Sequence, residues 1–199
     1  MIILKKIMVY TLLILIVAWT ALTLFVEKSG PEQATVFGKP VGFPTAIIVY
    51  NPDPFYNLDQ QVCEAFGQTL AANGWYVQVM SVAAAKKSTT ENQSLYVFCA
   101  NTYNWAPDWP VTGFIKNNVL LTGKKVVAIT LGGGSTQRSQ RVFENILKEK
   151  GAVLISTKTL WLWKPNDHTR LKESNTRVAL KMTTTFAEKI VQQFDGAGH

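Results

Sequence analysis

Apolar positions change rhythm along the chain, and each rhythm predicts a different element. Ile7 to Val26 (IMVYTLLILIVAWTALTLFV) is predominantly apolar and uncharged, which predicts one helix of the ~20 residues needed to cross a bilayer. Further on, Thr45–Tyr50 (TAIIVY), Leu95–Ala100 (LYVFCA) and Lys124–Leu131 (KKVVAITL) are short runs rich in β-branched and aromatic residues. They predict strands buried on both faces. Trp75–Val82 alternates and predicts a second strand nearer an edge, and Ala152–Leu162 predicts a fifth. Between them the spacing becomes helical. Val62, Cys63, Phe66 and Leu70 predict a helix from Leu58 to Asn73, ended by Gly74. Val142, Phe143, Ile146 and Leu147 point inward from a helix that runs to Lys150. Val178, Met182, Phe186, Ile190 and Phe194 mark a last helix from Asn175 to Phe194. Val111–Lys116 is a short helical piece, and Ala83–Ser94 leaves room for only a short helix.

Strands alternating with helices imply parallel strands joined by right-handed crossovers. The expected fold is a three-layer α/β/α sandwich with a five-stranded parallel sheet, preceded by one transmembrane helix. Residues 1–28 are the anchor. Residues 29–44, with three Pro, three Gly and no periodicity, are a linker, and residues 45–199 are the domain. Pro52 and Pro54 stop the first strand, and Asn57 with Gln60 has the spacing of a capping box.

Composition narrows the function. Hydrophobic residues make up 47 % of 199, enough for a sizeable core, and the net charge of +7 comes from scattered Lys and Arg. There is no basic stripe or aromatic recognition motif, so nucleic acid is not an expected partner. Cys63 and Cys99 lack a CxxC neighbour, and the histidines are His168 and His199. No metal site is expected, and both thiols read as core residues. A hydrolase using Ser135 or Thr136 lacks a credible base. Lys5 and Lys6 precede the apolar run, whereas Glu27, Lys28 and Glu32 follow it. The positive-inside rule then puts the short N-terminus in the cytoplasm and the domain outside. The apolar run exceeds the 7–15 residues of a signal peptide, and Ala18-Trp19-Thr20-Ala21 makes a poor cleavage site.

In an open α/β sheet, ligands sit beyond the carboxyl ends of the strands, where the strand order reverses. Three loops therefore carry the candidate site. The first is the turn after strand one, with Asn51, Asp53, Phe55 and Asn57. The second follows strand three, with Asn101, Thr102, Tyr103, Asn104 and Trp105. The third is the glycine loop Gly132, Gly133, Gly134 and Ser135. Each has a plainer use: Asn and Asp make turns and caps, aromatics roof a core, and glycines make a tight turn. Asp167 beside His168 is most simply a solvated polar loop.

The order of these features resembles the flavodoxin-like family over about Thr45 to Phe194. The likeness rests on a buried strand, turn and helix ending in Gly74. It rests also on Asn101-Thr102-Tyr103-Asn104-Trp105 after strand three, and on Leu121-Thr122-Gly123-Lys124-Lys125 leading to strand four and a glycine loop. The resemblance implies strand order 2-1-3-4-5 and FMN over the ends of strands one, three and four, with Tyr103, Trp105 and Phe55 beside the ring. It implies an FMN-dependent oxidoreductase or electron carrier, working with a nicotinamide donor, a quinone or another membrane redox partner, and held to membrane lipid by the N-terminal helix. One departure stands out. The family's Ser/Thr-x-Thr-Gly-x-Thr phosphate loop is NPDPFYNLD here. Pro52 and Pro54 lack N–H donors, and Asp53 and Asp59 bring negative charge to the phosphate position. Two unit charges ~4 Å apart repel by ~4 kcal/mol at an effective dielectric of 20. The alternative is a flavodoxin-like binding or scaffold module that has lost the flavin.

Overall fold

The computed structural model describes residues 2–40 and 44–195. Residues 41–43 of the expected linker and the end of the expected domain, including His199, lie outside the described residues. Helix α1 (Ile2–Val26) leads into an edge strand, β1 (Ala34–Phe37). The order then runs β2 (Thr45–Tyr50), α2 (Leu58–Ala72), β3 (Tyr76–Ser81), α3 (Val82–Ala85), β4 (Leu95–Tyr103), β5 (Ala106–Pro107) and α4 (Trp109–Asn118). It closes with β6 (Lys125–Gly132), α5 (Gln137–Glu149), β7 (Val153–Trp161) and α6 (Asn175–Asp195).

The sheet order is β1-β3-β2-β4-β6-β7. Its five parallel strands follow the expected 2-1-3-4-5 arrangement, with the reversal between β2 and β4. The sheet is larger than five strands, however. β1 pairs antiparallel with β3, Ala34 opposite Met80, and the two-residue β5 pairs antiparallel with the end of β4. The stretch expected to be wholly linker thus supplies an edge strand. Its four residues are too few to show a period, and the pairing edge of β3 is what orders them.

Alternation within each strand divides the core between two layers. Ala46, Ile48 and Tyr50 of β2 face α2 and α6, beside Phe66, Leu70 and Ile190. Ile47 and Val49 face the other way, toward Phe114 and Ile115 of α4 and Phe143 and Leu147 of α5. Both cysteines are free and buried, Cys63 on α2 and Cys99 on β4. Three local expectations need correction. Val142 stays half in solvent on α5, because the buried stripe of that helix is Ser139, Phe143, Ile146 and Leu147. Asn57 makes no side-chain cap on α2; its carboxamide oxygen accepts from the Gln61 side chain instead. Strand three runs three residues further than expected, so Asn101, Thr102 and Tyr103 belong to β4.

The last extension has a local cause. Tyr103 pairs with Ala106 across a two-residue hairpin turn, Asn104-Trp105, and both turn residues have positive φ, 48° and 59°. That is the backbone sign of a type I′ turn, which matches strand twist. Asn tolerates it, whereas Trp is held there against its preference.

Gly67 lets the edge of the sheet close. A Cβ on it would meet a Val79 methyl at 2.9 Å and the Phe37 ring at 3.2 Å. Gly67→Val is expected to lower unfolding stability by about 1–3 kcal/mol through overpacking, measured by chemical denaturation in mild detergent; an unchanged midpoint would contradict this packing.

Candidate functional site

The carboxyl ends of β2, β4 and β6 and the exit of β7 gather on one rim of the sheet. The last two turns of α1 lie against that rim. Together they enclose a pocket of about 300 Å³, at the lower end of the range for small-molecule sites, roughly 300–1,000 Å³. Of the residues expected from sequence, Asp53, Phe55, Asn101, Thr102, Tyr103, Asn104, Gly132 and Gly133 line it. Asn51, Asn57, Trp105, Gly134 and Ser135 do not. Asn51 is buried behind the pocket, its side chain accepting from the Gly30 amide and donating to the Lys28 carbonyl. Asn57 and Trp105 are exposed on the outer side of their loops.

The first loop shows why its acidic residues are there. The amide of Asp53 donates to Asp59 Oδ2 at 2.7 Å, and that of Gln60 to Asp59 Oδ1 at 2.7 Å. The amides of Phe55 and Tyr56 donate to Asp53 Oδ1 at 2.7 and 3.0 Å. The other Asp53 oxygen accepts from the Tyr103 hydroxyl at 2.6 Å. Asn101 Nδ2 completes the set, donating to Asp59 Oδ2 at 3.0 Å and to the Asn51 carbonyl at 3.1 Å. Four amides of the loop therefore point at carboxylates of the chain itself. Burial pushes the Asp59 carboxyl up to about 6, against hydrogen bonds from Asn101, Gln60 and Asp53 that favour its charged form. Burial also raises Tyr103, and its bond to Asp53 adds to the shift.

This donor set decides whether an FMN phosphate fits. A dianion in this loop needs free amides and positive charge. Four amides are occupied by anions, two positions are proline, and among the described residues lining the pocket there is no Lys or Arg. The phosphate does not fit in this loop. The ring position is different: Tyr103, Phe55 and Leu131 present a mostly apolar space beside Gly132 and Gly133.

Those two glycines also leave room for neighbouring side chains. A Cβ on Gly132 would meet Thr136 Cγ2 at 2.7 Å and Thr102 Cβ at 3.0 Å, and one on Gly133 would meet the Trp163 ring at 2.7 Å. Trp163 is a wall of the pocket that the sequence reading missed. Its ring lies edge-on to Tyr56, centroids 6.1 Å apart. The distinctive Lys164-Pro165-Asn166-Asp167 segment finds its use in holding this wall. Asn166 bonds both the amide and the carbonyl of Trp161, at 2.8 and 2.7 Å. Asn175 donates to the carbonyls of Trp161, Leu162 and Lys164 and accepts from the Asn166 amide at 2.9 Å. Asp167 accepts from the Thr169 amide and hydroxyl, making a local turn.

Two further acids, neither marked by the sequence reading, fix the second loop. Asp108 is fully buried and accepts from the Asn101 amide at 2.8 Å and the Val111 amide at 2.9 Å. One carboxylate thus ties the end of β4 to the start of α4. An Asp directly before Trp109-Pro110 is a legible helix start. Burial pushes its carboxyl up to about 8. Glu27, just past α1, accepts from the Trp109 amide at 2.6 Å, and burial raises it as well. Among the described residues, no group of His, Cys, Asp and Glu has the arrangement of a metal site.

No family model matches the chain, and no curated protein is similar to it. Solved structures do match. A short-chain flavodoxin associated with a non-canonical PDU bacterial microcompartment aligns at TM-score 0.57 and 18 % identity, over 75 % of this chain and 98 % of that one. Rubredoxin oxygen:oxidoreductase from Desulfovibrio gigas aligns at TM-score 0.56 and 15 % identity, over 77 % of this chain but 37 % of that one. Oxidised flavodoxin 2 from Bacillus cereus aligns at TM-score 0.51 and 20 % identity, over 73 % of this chain and 99 % of that one. The fold is that of the flavodoxins.

The buried acids set an unusual pH dependence. Each binds its proton more tightly folded than unfolded, so its contribution is full below 3.8 and is lost as pH rises through about 6 for Asp59 and about 8 for Asp108. The thermal midpoint in mild detergent is expected to fall between about pH 5 and about pH 8, and Asp108→Asn to flatten the upper part of that fall. A midpoint that climbs over this range is the contrary result. Asn175→Ala, which removes a donor from the carbonyls of Trp161, Leu162 and Lys164 and leaves the first with Asn166, is expected to cost about 1–3 kcal/mol, read from denaturant unfolding.

Proposed function

We propose that this chain is a membrane-anchored binding module of flavodoxin fold, whose rim pocket takes a flat, largely apolar ring that carries no phosphate. The observation that supports it most directly is the pair Asp53 and Asp59, which occupy the loop amides that a phosphate would need. α1 supplies the tether. It contains an apolar run, Leu4–Val26, long enough to cross a membrane, and only 6 % of the most apolar window is buried. A signal sequence is also an apolar helix near the N-terminus, but the last turns of α1 form a wall of the pocket, which gives the helix a use in the folded protein. Lys5 and Lys6 favour a cytoplasmic N-terminus and a domain on the outer side. A quinone dissolved in the membrane has the ring chemistry this pocket suits.

A second reading is an FMN-dependent electron carrier or oxidoreductase, with a nicotinamide or quinone partner. The flavodoxin fold and the apolar space at the ring position favour it. It needs the phosphate to lie elsewhere, for example over Gly134 and Ser135. Bound flavin would supply electron or hydride transfer, and the chain's own residues would orient the ring and exclude water.

The readings separate on titration. The purified chain in mild detergent is mixed with FMN, riboflavin or a soluble naphthoquinone, and tryptophan quenching is followed. The quinone or riboflavin is expected to bind more tightly than FMN. The gap for riboflavin against FMN approaches three decades if the ~4 kcal/mol repulsion is felt in full. Stoichiometric FMN released on denaturing the purified protein would overturn the first reading and favour the second.

A further inference from the structure

Among the described residues, the exposed aromatic side chains outside α1 are Phe55, Tyr56, Trp105, Trp109 and Trp163. All five leave the same rim of the sheet, from the turn after β2, the β4–β5 hairpin, the start of α4 and the exit of β7. Trp163 is 71 % exposed and Trp105 56 %. Tyr56 and the three tryptophans have apolar bodies with polar O–H or N–H tips, which a membrane–water interface favours. Trp105 is held at φ 59°, a conformation a tryptophan adopts at some cost, and it is not among the residues lining the pocket.

The helix says how deep this rim lies. α1 touches the domain beyond its last residue. Trp19, Leu22, Thr23 and Val26 all wall the pocket, Thr23 accepts from Asn104 Nδ2 at 3.0 Å, and Phe25 meets Phe55 with centroids 5.7 Å apart. At 1.5 Å per residue, Trp19 stands ~10 Å up the helix from Val26. The uncharged run from Ile7 to Val26 is about 30 Å long, and the hydrocarbon core is itself about 30 Å thick. The helix has no spare length to hold the domain away from the bilayer. If α1 spans, the groups packed on Trp19 and Leu22 must reach the headgroup layer.

We propose that this rim seats on the membrane interface. The aromatic collar sits among the lipid headgroups, and the pocket mouth beside α1 faces the lipid rather than bulk water. The proposal rests on the reading of α1 as a membrane span. It deepens the assignment of the pocket, since a site placed there draws an amphipathic ring from the bilayer.

The test uses the full chain in phosphatidylcholine–phosphatidylglycerol vesicles, with no ligand added. An environment-sensitive fluorophore is placed by Trp105→Cys, Trp163→Cys, Ile14→Cys or Asn73→Cys, one at a time. Cys63 and Cys99 are buried and stay unlabelled in the folded protein. Quenching by nitroxide lipids is compared with quenching by aqueous iodide. Labels at 105 and 163 are expected to be quenched by lipid severalfold more than the label at 73 on the opposite rim, with iodide showing the reverse. Two positions on separate loops guard against one substitution disturbing its own loop. Strong lipid quenching at 14 with rim labels as open to iodide as the one at 73 overturns the docking and leaves the anchor standing. A label at 14 that lipid does not reach overturns both. Failure of every ring compound to bind, with the rim still quenched by lipid, removes the pocket assignment and not the docking.

Discussion

The carboxylate of Asp59 holds the pocket rim together. It is almost fully buried, and it gathers amides from Asp53 and Gln60 and the carboxamide of Asn101. Through Asn101 it joins the end of β2 to the end of β4, across the point where strand order reverses. A group that costs much to bury is kept because its bonds define one geometry for two loops. Asp53 extends the arrangement to Tyr103, and Asp108 repeats it at the start of α4. The amides of Asp53, Phe55, Tyr56 and Gln60 are thereby satisfied by carboxylates of the chain itself.

A second constraint is the path of the chain between the apolar helix and the sheet. Residues 27–33 are stitched to the domain at several points. Glu27 meets the start of α4, Asn51 holds Lys28 and Gly30, and Gln33 bonds Ser81 and the Tyr50 hydroxyl. A Cβ on Gly30 would strike Pro52 at 2.9 Å, so a side chain there would force the two segments apart. The helix therefore leaves the domain in a set direction rather than on a free tether. Direction and site are coupled, because the wall of the pocket and the end of the helix are the same residues.

Pocket aromatics and glycines serve two ends at once. The Trp163 ring lies on Gly133, and the backbone on either side of Trp163 is held by Asn166, through Trp161, and by Asn175, through Trp161, Leu162 and Lys164. The wall is an outgrowth of the fold's own fastening, on the rim where an open α/β sheet presents its loops.

The sequence by itself determined the sheet and its layers. Runs such as TAIIVY and LYVFCA have no polar face to offer solvent, and the helical stripes ending at Gly74 and Gly151 have one direction in which to bury. These are local signals, and they suffice for five strands, their order by resemblance, and the long apolar helix. The site was legible only as three loops. That Asp53 reaches Tyr103, that Asp59 takes the Asn101 carboxamide and that Ala34–Phe37 joins the sheet depend on partners far away in the chain. Trp163 and Thr23 reach the pocket from opposite ends of the sequence. Only the tertiary structure decided them, because a hydrogen bond between distant residues leaves no period in a sequence, whereas a buried face does.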